Sequence, residues 1–235
     1  MIEDERFSRP LYSVSEAARL VGMPASTLTA WARGYRNRFP GRPDVVQGPV
    51  ITAVKQTSGS APSIPFGGLV EATVVQAFRR TELPLQRIRR ALAVLEQQGG
   101  LGHALASKRL YTDGARVLFD YATESEDGQL RLLTVVEGGQ RVFHEVIQNY
   151  LTRISFDDDW ASALIVPVTE HPILRIRPEI ASGDALFVHG GAPLSAVLSR
   201  FQAGEPVESL ATDYDLPAAD IREAVRDLKI TTKAA

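Results

Sequence analysis

The sequence contains no cysteine, and this absence excludes several kinds of protein. Without thiols there is no disulfide framework, no zinc–thiolate site and no cysteine nucleophile. Long hydrophobic runs are also missing, because no apolar stretch approaches the roughly 20 residues that cross a bilayer. The first residues, MIEDERFSRP, are acidic and polar and do not resemble a secretory signal. We therefore expect a cytoplasmic protein with no membrane partner.

Clusters of polar residues typical of active sites are equally scarce. The four histidines stand apart from one another and from any ligand-like spacing: His103, His144, His171 and His189. Asp157–Asp159 invites a metal interpretation, but neighbouring residues in an extended turn point in different directions, which favours a solvated turn. Gly190-Gly191 lacks the following Lys-Ser or Lys-Thr of a phosphate-binding loop. We predict no catalytic residue, no metal, no cofactor and no enzyme activity.

What the chain does have is an uneven distribution of charge. Its 235 residues are 44% hydrophobic and 23% charged, which are globular averages that suit one large domain or two to three small ones. The net charge is −2, yet residues Arg6 to Arg42 hold seven arginines and one acid, a local balance of +6. A solvated face normally mixes signs, whereas such a block gains affinity by releasing counterions from nucleic acid. The asymmetry favours DNA as a partner.

The segment Tyr12–Tyr35 has the pattern of two short helices joined by a tight turn. Ser13 and Glu16 have the spacing of a capping box, apolar residues then recur at helical spacing, and Gly22 ends the run. Pro24 suits the first position of the second helix. Such a pair forms a helix-turn-helix, whose second helix fits the DNA major groove. An ordinary helical hairpin within an α-helical core is the alternative.

A wing and two further helices are predicted to follow. Val45-Val46 and Pro49–Val54 are β-branched runs separated by a Gln47-Gly48 turn, and Lys55 at their end is either a phosphate contact or a solvated lysine. Phe66–Thr81 has one apolar helical face. Pro84 begins another helix, whose apolar stripe is Leu85, Ile88, Leu92 and Leu95. Its outer faces carry Arg87, Arg89 and Arg90. These arginines are either solvent-facing or auxiliary phosphate contacts.

The order helix-turn-helix, wing, Phe66–Thr81 and the run LPLQRIRRALAVL resembles the DNA-binding domain of the MerR family of regulators. The resemblance implies that Ser26, Thr27 and Arg33 face DNA and that Tyr35 lies at the backbone. Thr29 departs from the family pattern, which often has arginine there, and the long dimerisation helix and effector cysteines are missing. The full set of candidate DNA-binding residues is Ser26, Thr27, Thr29, Ala30, Arg33, Tyr35, Arg36, Arg38 and Lys55.

The middle of the chain is predicted to be a small α+β unit. Lys108–Thr112 and Arg116–Tyr121 are expected to form a hairpin around Asp113-Gly114. Its remaining predicted elements are a strand over Leu130–Val136, a helix over Gln140–Leu151, and strands over Arg153–Phe156 and Ala161–Val166.

From His171 the chain is predicted to form two strands and a trihelical unit over Pro193–Gln202, Val207–Asp213 and Ala218–Leu228. The surface of this unit carries seven carboxylates: Glu205, Glu208, Asp213, Asp215, Asp220, Glu223 and Asp227. Because acidic helices repel phosphate, the unit is interpreted as a protein-interaction or dimerisation module, with DNA binding as the alternative.

The motifs His171-Pro172-Ile173, Pro178-Glu179-Ile180 and Phe201–Glu205 are similar to a domain of unknown function found in antitoxins encoded beside PIN-type ribonuclease toxins. The sequence departs from it at Gly190–Ala192, where relatives usually have Gly-Thr-Arg. With the MerR-like domain, the whole resembles VapB-type antitoxins of type II toxin–antitoxin systems. This resemblance implies binding to the operon's own promoter, a PIN-type toxin as partner and a homodimer. The alternative is a stand-alone dimeric transcriptional regulator.

We accordingly expect an α+β fold that is mainly helical, in three parts. They are a winged helix-turn-helix domain over residues 1–107, a small α+β linking unit over 108–168, and a C-terminal trihelical domain over 169–235.

Overall fold

The computed structural model describes residues 4–37, 45–55, 63–80, 84–99, 102–110 and 152–228. Its helices are α1 Glu5–Ser8, α2 Val14–Val21, α3 Ala25–Arg33, α4 Phe66–Arg80, α5 Leu85–Gly99, α6 Leu194–Gln202, α7 Val207–Asp213 and α8 Ala218–Asp227. Its strands are β1 Tyr35–Asn37, β2 Val45–Gln47, β3 Ile154–Asp157, β4 Trp160–Ile165, β5 Leu174–Ile176 and β6 Ala185–Phe187. This mixture confirms the predicted α+β, mainly helical fold. None of the described helices is long and apolar enough to span a membrane.

Helices α2 and α3 form the predicted helix-turn-helix. The capping box is present: the Ser13 hydroxyl accepts from the Glu16 amide at 3.2 Å, and the Glu16 carboxylate accepts from the Ser13 amide at 2.8 Å. Gly22 ends α2 with φ +76°, and a Cβ there would lie 2.9 Å from Val168 Cγ2. Pro24 precedes α3 as its N-cap instead of occupying its first position, because its ψ of 137° is extended.

The wing forms, but between different strands from those predicted. Strand β1 pairs antiparallel with β2, with Arg36 opposite Val46, whereas Pro49–Val54 is not a strand. Gly34 adopts φ +74° directly after α3 and packs so closely on Gln47 that a Cβ would collide with its carbonyl. The chain therefore reverses at Gly34 into the first wing strand, and β1 takes the position opposite β2 that was predicted for Pro49–Val54.

Helix α4 lies at the centre of the described structure. It contacts α1, α2, α5, β4 and the short 3₁₀ helix Ala104–Ala106. Nearly all of its residues from Phe66 to Phe78 are buried. Gly67 and Gly68 permit the closest approaches, since a Cβ would collide with the Phe7 ring at one and the Thr52 carbonyl at the other. The predicted third and fourth helices are thus confirmed, and Ile88 of α5 is buried in the same core.

The second sheet is antiparallel with the strand order β3-β4-β5-β6. Leu164 pairs with Ile154 on one side and Ile176 on the other, and Leu174 pairs with Phe187. The sheet thus takes strands from both sides of the boundary expected near residue 168. The division of the chain into three domains stays a prediction.

The predicted strands at residues 153–156 and 161–166 are confirmed as β3 and β4. The strand expected to begin at Lys108 is wrong, because residues 108–110 form a helical turn after Ala104–Ala106. The other elements predicted between residues 111 and 151 lie outside the described residues.

The C-terminal strands and helices form as predicted, and they pack against the helix-turn-helix domain. The Tyr12 hydroxyl donates a buried 2.7 Å hydrogen bond to the Gly183 carbonyl. Gly183 has φ +81°, and a Cβ there would lie 2.8 Å from Leu11 Cδ1 and 2.9 Å from Tyr12 Oη. Phe7 packs edge-on against Trp160 of β4, with 5.1 Å between ring centroids. The N-terminal and C-terminal parts therefore share one hydrophobic core.

We predict that Tyr12→Phe lowers the free energy of unfolding by about 1–2 kcal/mol, because it leaves the buried Gly183 carbonyl without its donor. Urea unfolding followed by circular dichroism measures the change. Ser15→Ala, at an exposed position on α2, is the control and should cause no loss. Equal stability of Tyr12→Phe and the native chain would show that this bond contributes nothing.

Candidate nucleic-acid interface

Helix α3 lies at the surface with its polar side outward. Leu28 and Trp31 are buried at 0% and 4% exposure and hold the helix on the core. Ser26 and Arg33 are exposed, while the remaining candidates on the helix, Thr27, Thr29 and Ala30, are half-buried. The Thr29 hydroxyl donates to the Ala25 carbonyl at 2.8 Å, so it is held within the helix. A surface helix of this kind can enter a major groove.

The wing adds polar and apolar groups beside α3. Tyr35 is half-buried and Arg36 is exposed, both on β1 directly after α3. Val46 on β2 is 60% exposed, which the sequence did not indicate as a contact residue. Arg38 lies outside the described residues. Lys55 is exposed but follows Val54, whose amide donates to the Ser63 carbonyl at 2.8 Å, so it lies beyond the β1–β2 wing.

The basic block is less uniform than its composition suggested. Arg6 pairs with Asp4 at 2.9 Å, and the hydrogen bond from Arg6 lowers the pKa of that carboxyl. Arg9 lies 3.9 Å from Glu5. Arg19 lines a cavity that α2 shares with residues 181–185, away from α3. Of the seven arginines, Arg33 and Arg36 are the described ones that lie on α3 and the wing.

The base of the wing is fixed by hydrogen bonds to three elements of the core. The Val50 amide donates to the Trp31 carbonyl of α3 at 2.8 Å. The Thr52 amide donates to the Glu71 carboxylate of α4 at 2.5 Å. Arg89 of α5 donates from Nη1 to the Gly48 carbonyl and, at 3.3 Å, to the Pro49 carbonyl. One of the outer arginines of α5 therefore holds the wing instead of facing outward.

Glu71 is the centre of a polar cluster that sequence reasoning missed. It is 4% exposed and also accepts from the Thr52 hydroxyl and from His103 Nδ1, each at 3.1 Å. The hydrogen bond with Glu71 raises the pKa of His103, against the opposing effect of burial. His103 was predicted to be isolated, but the fold places it beside this carboxylate. The sequence did contain a signal for this cluster, since Glu71 is one carboxylate within an otherwise apolar helix. A buried charge needs hydrogen-bond partners, so polar side chains were to be expected beside it.

Internal ion pairs neutralise much of the C-terminal acidic surface. Each described arginine on the last three helices pairs with one or two carboxylates: Arg200 with Glu205 and Asp213, Arg222 with Glu208, and Arg226 with Asp227. His171 and His189 contact Glu223 and Asp220 at 2.7 and 2.9 Å, so these histidines are not isolated either. Asp215 and Glu179 are exposed carboxylates outside these pairs. The repulsion of phosphate is weaker than the composition implied.

Asp157–Asp159 lies at the exposed turn between β3 and β4. Across the described ranges, no three His, Asp or Glu side chains form a group that could hold a metal ion.

Two domain families match the chain. The family described as "Putative DNA-binding HTH domain" matches residues 10–92, which include α2, α3, the wing and α4. The family described as "Protein of unknown function (DUF433)" matches residues 174–226, which run from β5 into α8.

Whole-length relatives come from Mycobacterium tuberculosis. The chain is 39% identical over 226 residues to the "Putative antitoxin VapB45", with 94% of each chain covered. It is 26% identical to the uncharacterized protein Rv2308, covering 92% of this chain and 89% of that protein. The crystal structure of Rv2018 superposes with a TM-score of 0.74 at 36% identity, covering 94% of this chain and 99% of the other.

The fold and the HTH match define a helix-turn-helix protein with a C-terminal domain of unknown function. The chain belongs to the VapB-type antitoxin family that includes VapB45. This is a family of DNA-binding antitoxins and not of enzymes, as the sequence predicted.

We predict that Glu71→Gln lowers the free energy of unfolding by about 1–3 kcal/mol, because charged hydrogen bonds to Thr52 and His103 are lost. The raised pKa of His103 sets the pH dependence. The stabilisation from the interaction of His103 with Glu71 is fully present below the pKa of about 6.5 that His103 has in the unfolded chain. It is lost as the pH rises through the higher pKa of His103 in the folded chain. The difference from the native chain should therefore be larger near pH 6 than near pH 9.

Urea titrations at the two pH values measure this difference. Asp215→Asn is the control, since Asp215 is an exposed carboxylate in the loop between α7 and α8. A difference for Glu71→Gln that is constant with pH would mean that the His103 interaction does not contribute.

Proposed function

We propose that the protein is the antitoxin of a type II toxin–antitoxin pair that represses its own promoter and neutralises a PIN-type ribonuclease toxin. The observation that carries the proposal is the exposed polar and basic side of α3 beside the wing, in a chain of the VapB45 family. The MerR-like order of helix-turn-helix, wing and two packing helices agrees with it. Promoter binding implies a cytoplasmic location.

In this proposal α3 enters the major groove. An α-helix with its side chains is about 10–12 Å across, which fits the major-groove width of about 12 Å. Ser26, Thr27, Thr29 and Ala30 would approach base edges, since short polar and methyl groups contact many bases. Phosphate contacts would come from Arg33, Tyr35, Arg36, Arg38 and Lys55. Val46 on the wing adds an apolar contact with the sugar backbone.

A homodimer is part of the proposal. Operator half-sites are related by two-fold symmetry, so a protein that reads both needs a matching two-fold axis. The C-terminal helices are the favoured dimer contact, because α3 and the wing must remain available for DNA.

The toxin contact is assigned to the C-terminal module. It retains an excess of carboxylates, some of them exposed and outside the ion pairs, such as Asp215 and Glu179. A toxin that binds RNA presents basic groups, which an acidic surface complements. The internal ion pairs favour the second candidate, a stand-alone dimeric regulator, because they leave fewer carboxylates available for a partner.

We predict that Arg33→Ala and Arg36→Ala each weaken operator binding and reduce the slope of log affinity against log salt by about one. The physical reason is the loss of one phosphate contact and its released counterions. Fluorescence anisotropy with the upstream promoter fragment at several salt concentrations measures both effects. Arg19→Ala is the matched control, because Arg19 is exposed on α2 but faces the cavity that α2 shares with residues 181–185 and not the surface of α3. An equal loss of operator affinity in all three variants would mean that α3 and the wing are not the DNA-binding surface.

We predict that the product of the adjacent gene inhibits growth of the host cells when it is expressed alone. Co-expression with this protein should restore growth and yield a stable complex of the two chains. Affinity purification followed by a growth assay tests this outcome. Growth inhibition that persists, with no complex recovered, would contradict the antitoxin role. The stand-alone regulator would then remain if the anisotropy titration still showed operator binding.

A further inference from the structure

A cavity of about 690 Å³ lies directly behind the base of the wing. The segment 47–53, helix α5 and the segment 102–105 surround it, and Ala32 of α3 forms part of its wall. Leu92 and Leu105 supply apolar surface, while Thr52 and Arg89 are among its polar groups. A cavity of this size, in which polar groups converge beside apolar surface, falls within the size range of small-molecule sites.

The polar groups of this cavity are unequally satisfied. The Glu71 carboxylate is saturated by hydrogen bonds from Thr52 and His103, and its charge is offset where His103 is protonated. Arg89 is different, because no carboxylate in the described ranges pairs with it. Its Nη2 is buried and has no hydrogen-bond partner there, and Nη1 contacts only the two wing-base carbonyls. Burial lowers the pKa of Arg89, which agrees with an uncompensated cation.

Glu96 also lines the cavity but does not neutralise Arg89. The two residues lie seven positions apart on α5, which corresponds to about 10 Å along a helix. Glu96 is exposed, so water solvates its charge. The uncompensated charge at the wing end of the cavity is therefore positive.

We propose that this cavity binds a small organic anion, whose charged group pairs with Arg89 and whose apolar body lies against Leu92 and Ala32. A guanidinium binds carboxylate, sulfonate and phosphate groups in a planar two-bonded geometry. The bonds from Arg89 to the Gly48 and Pro49 carbonyls involve one charged partner, whereas a bond to an anion adds the attraction between two opposite charges, so the anion competes with these carbonyls. Nη2 is covered in the free structure, and it gains the acceptor that it lacks when the guanidinium turns away from the two carbonyls.

Binding of the anion releases the wing. Arg89 holds Gly48 and Pro49, whereas Val50 and Thr52 remain anchored to α3 and α4. The freed segment joins β2 to these anchors, so the ligand changes the position of the wing relative to α3. A change in operator affinity follows, and this last consequence rests on the proposed DNA-binding function.

The test uses 8-anilinonaphthalene-1-sulfonate, an aromatic sulfonate, as the probe. Its fluorescence should rise on titration into the full chain with one saturable site. Arg89→Gln should weaken binding by at least about tenfold, the equivalent of one lost strong contact. Ala93→Trp, at an exposed position on the cavity wall, should block binding without altering Arg89. Arg90→Gln, whose side chain does not line the cavity, should bind like the native chain.

Native-like binding by both Arg89→Gln and Ala93→Trp would overturn the proposal. Should Arg89→Gln fail to fold, the surface variant Ala93→Trp decides alone. Hydrogen–deuterium exchange of residues 45–52 should accelerate when the probe is bound, and unchanged exchange would contradict the release of the wing. These readouts use no DNA. A chain that binds the probe but no operator would therefore disprove the proposed function and leave the cavity assignment standing.

Discussion

The burial of α4 is the constraint on which the other elements depend. Helix α4 contacts α1, α2, α5, β4 and the 3₁₀ helix Ala104–Ala106, and Gly67 and Gly68 bring α1 and the Thr52 backbone into direct contact with the helix. Each large apolar side chain that it buries contributes about 1.5–3 kcal/mol relative to exposure. Because the helix is enclosed on nearly all sides, its neighbours have little freedom to shift independently.

The single carboxylate within this helix links packing to function. Glu71 accepts a hydrogen bond from Thr52, and Val50 donates one to the last turn of α3. These bonds hold α3, the base of the wing and the core at defined distances from one another. A DNA-reading surface needs such rigidity, since base contacts require side chains to be placed to within a fraction of an ångström. Arg89 is the exception, because it holds the wing through carbonyl groups for which an anion can substitute.

The C-terminal module has a different electrostatic character from that expected for a purely acidic surface. Its helix arginines form ion pairs with carboxylates of the same module, and two histidines lie within hydrogen-bonding distance of two more, which leaves fewer carboxylates available to a partner. The Tyr12–Gly183 bond and the Phe7–Trp160 contact join this module to the helix-turn-helix domain.

The sequence by itself determined the local elements, because their signals are carried by neighbouring residues. The Ser13–Glu16 capping box, the glycine stop at Gly22 and the apolar face of Phe66–Thr81 each predicted a structure that was found, the last as helix α4. Pairings between distant segments were decided only by the tertiary structure. The wing strand opposite Val45–Gln47, the contact of His171 with Glu223, and the meeting of Glu71 with His103 all depend on how the chain returns on itself. Local propensity contains no information about which distant partner a strand or a charge will meet, since that choice is made by the shape of the shared core.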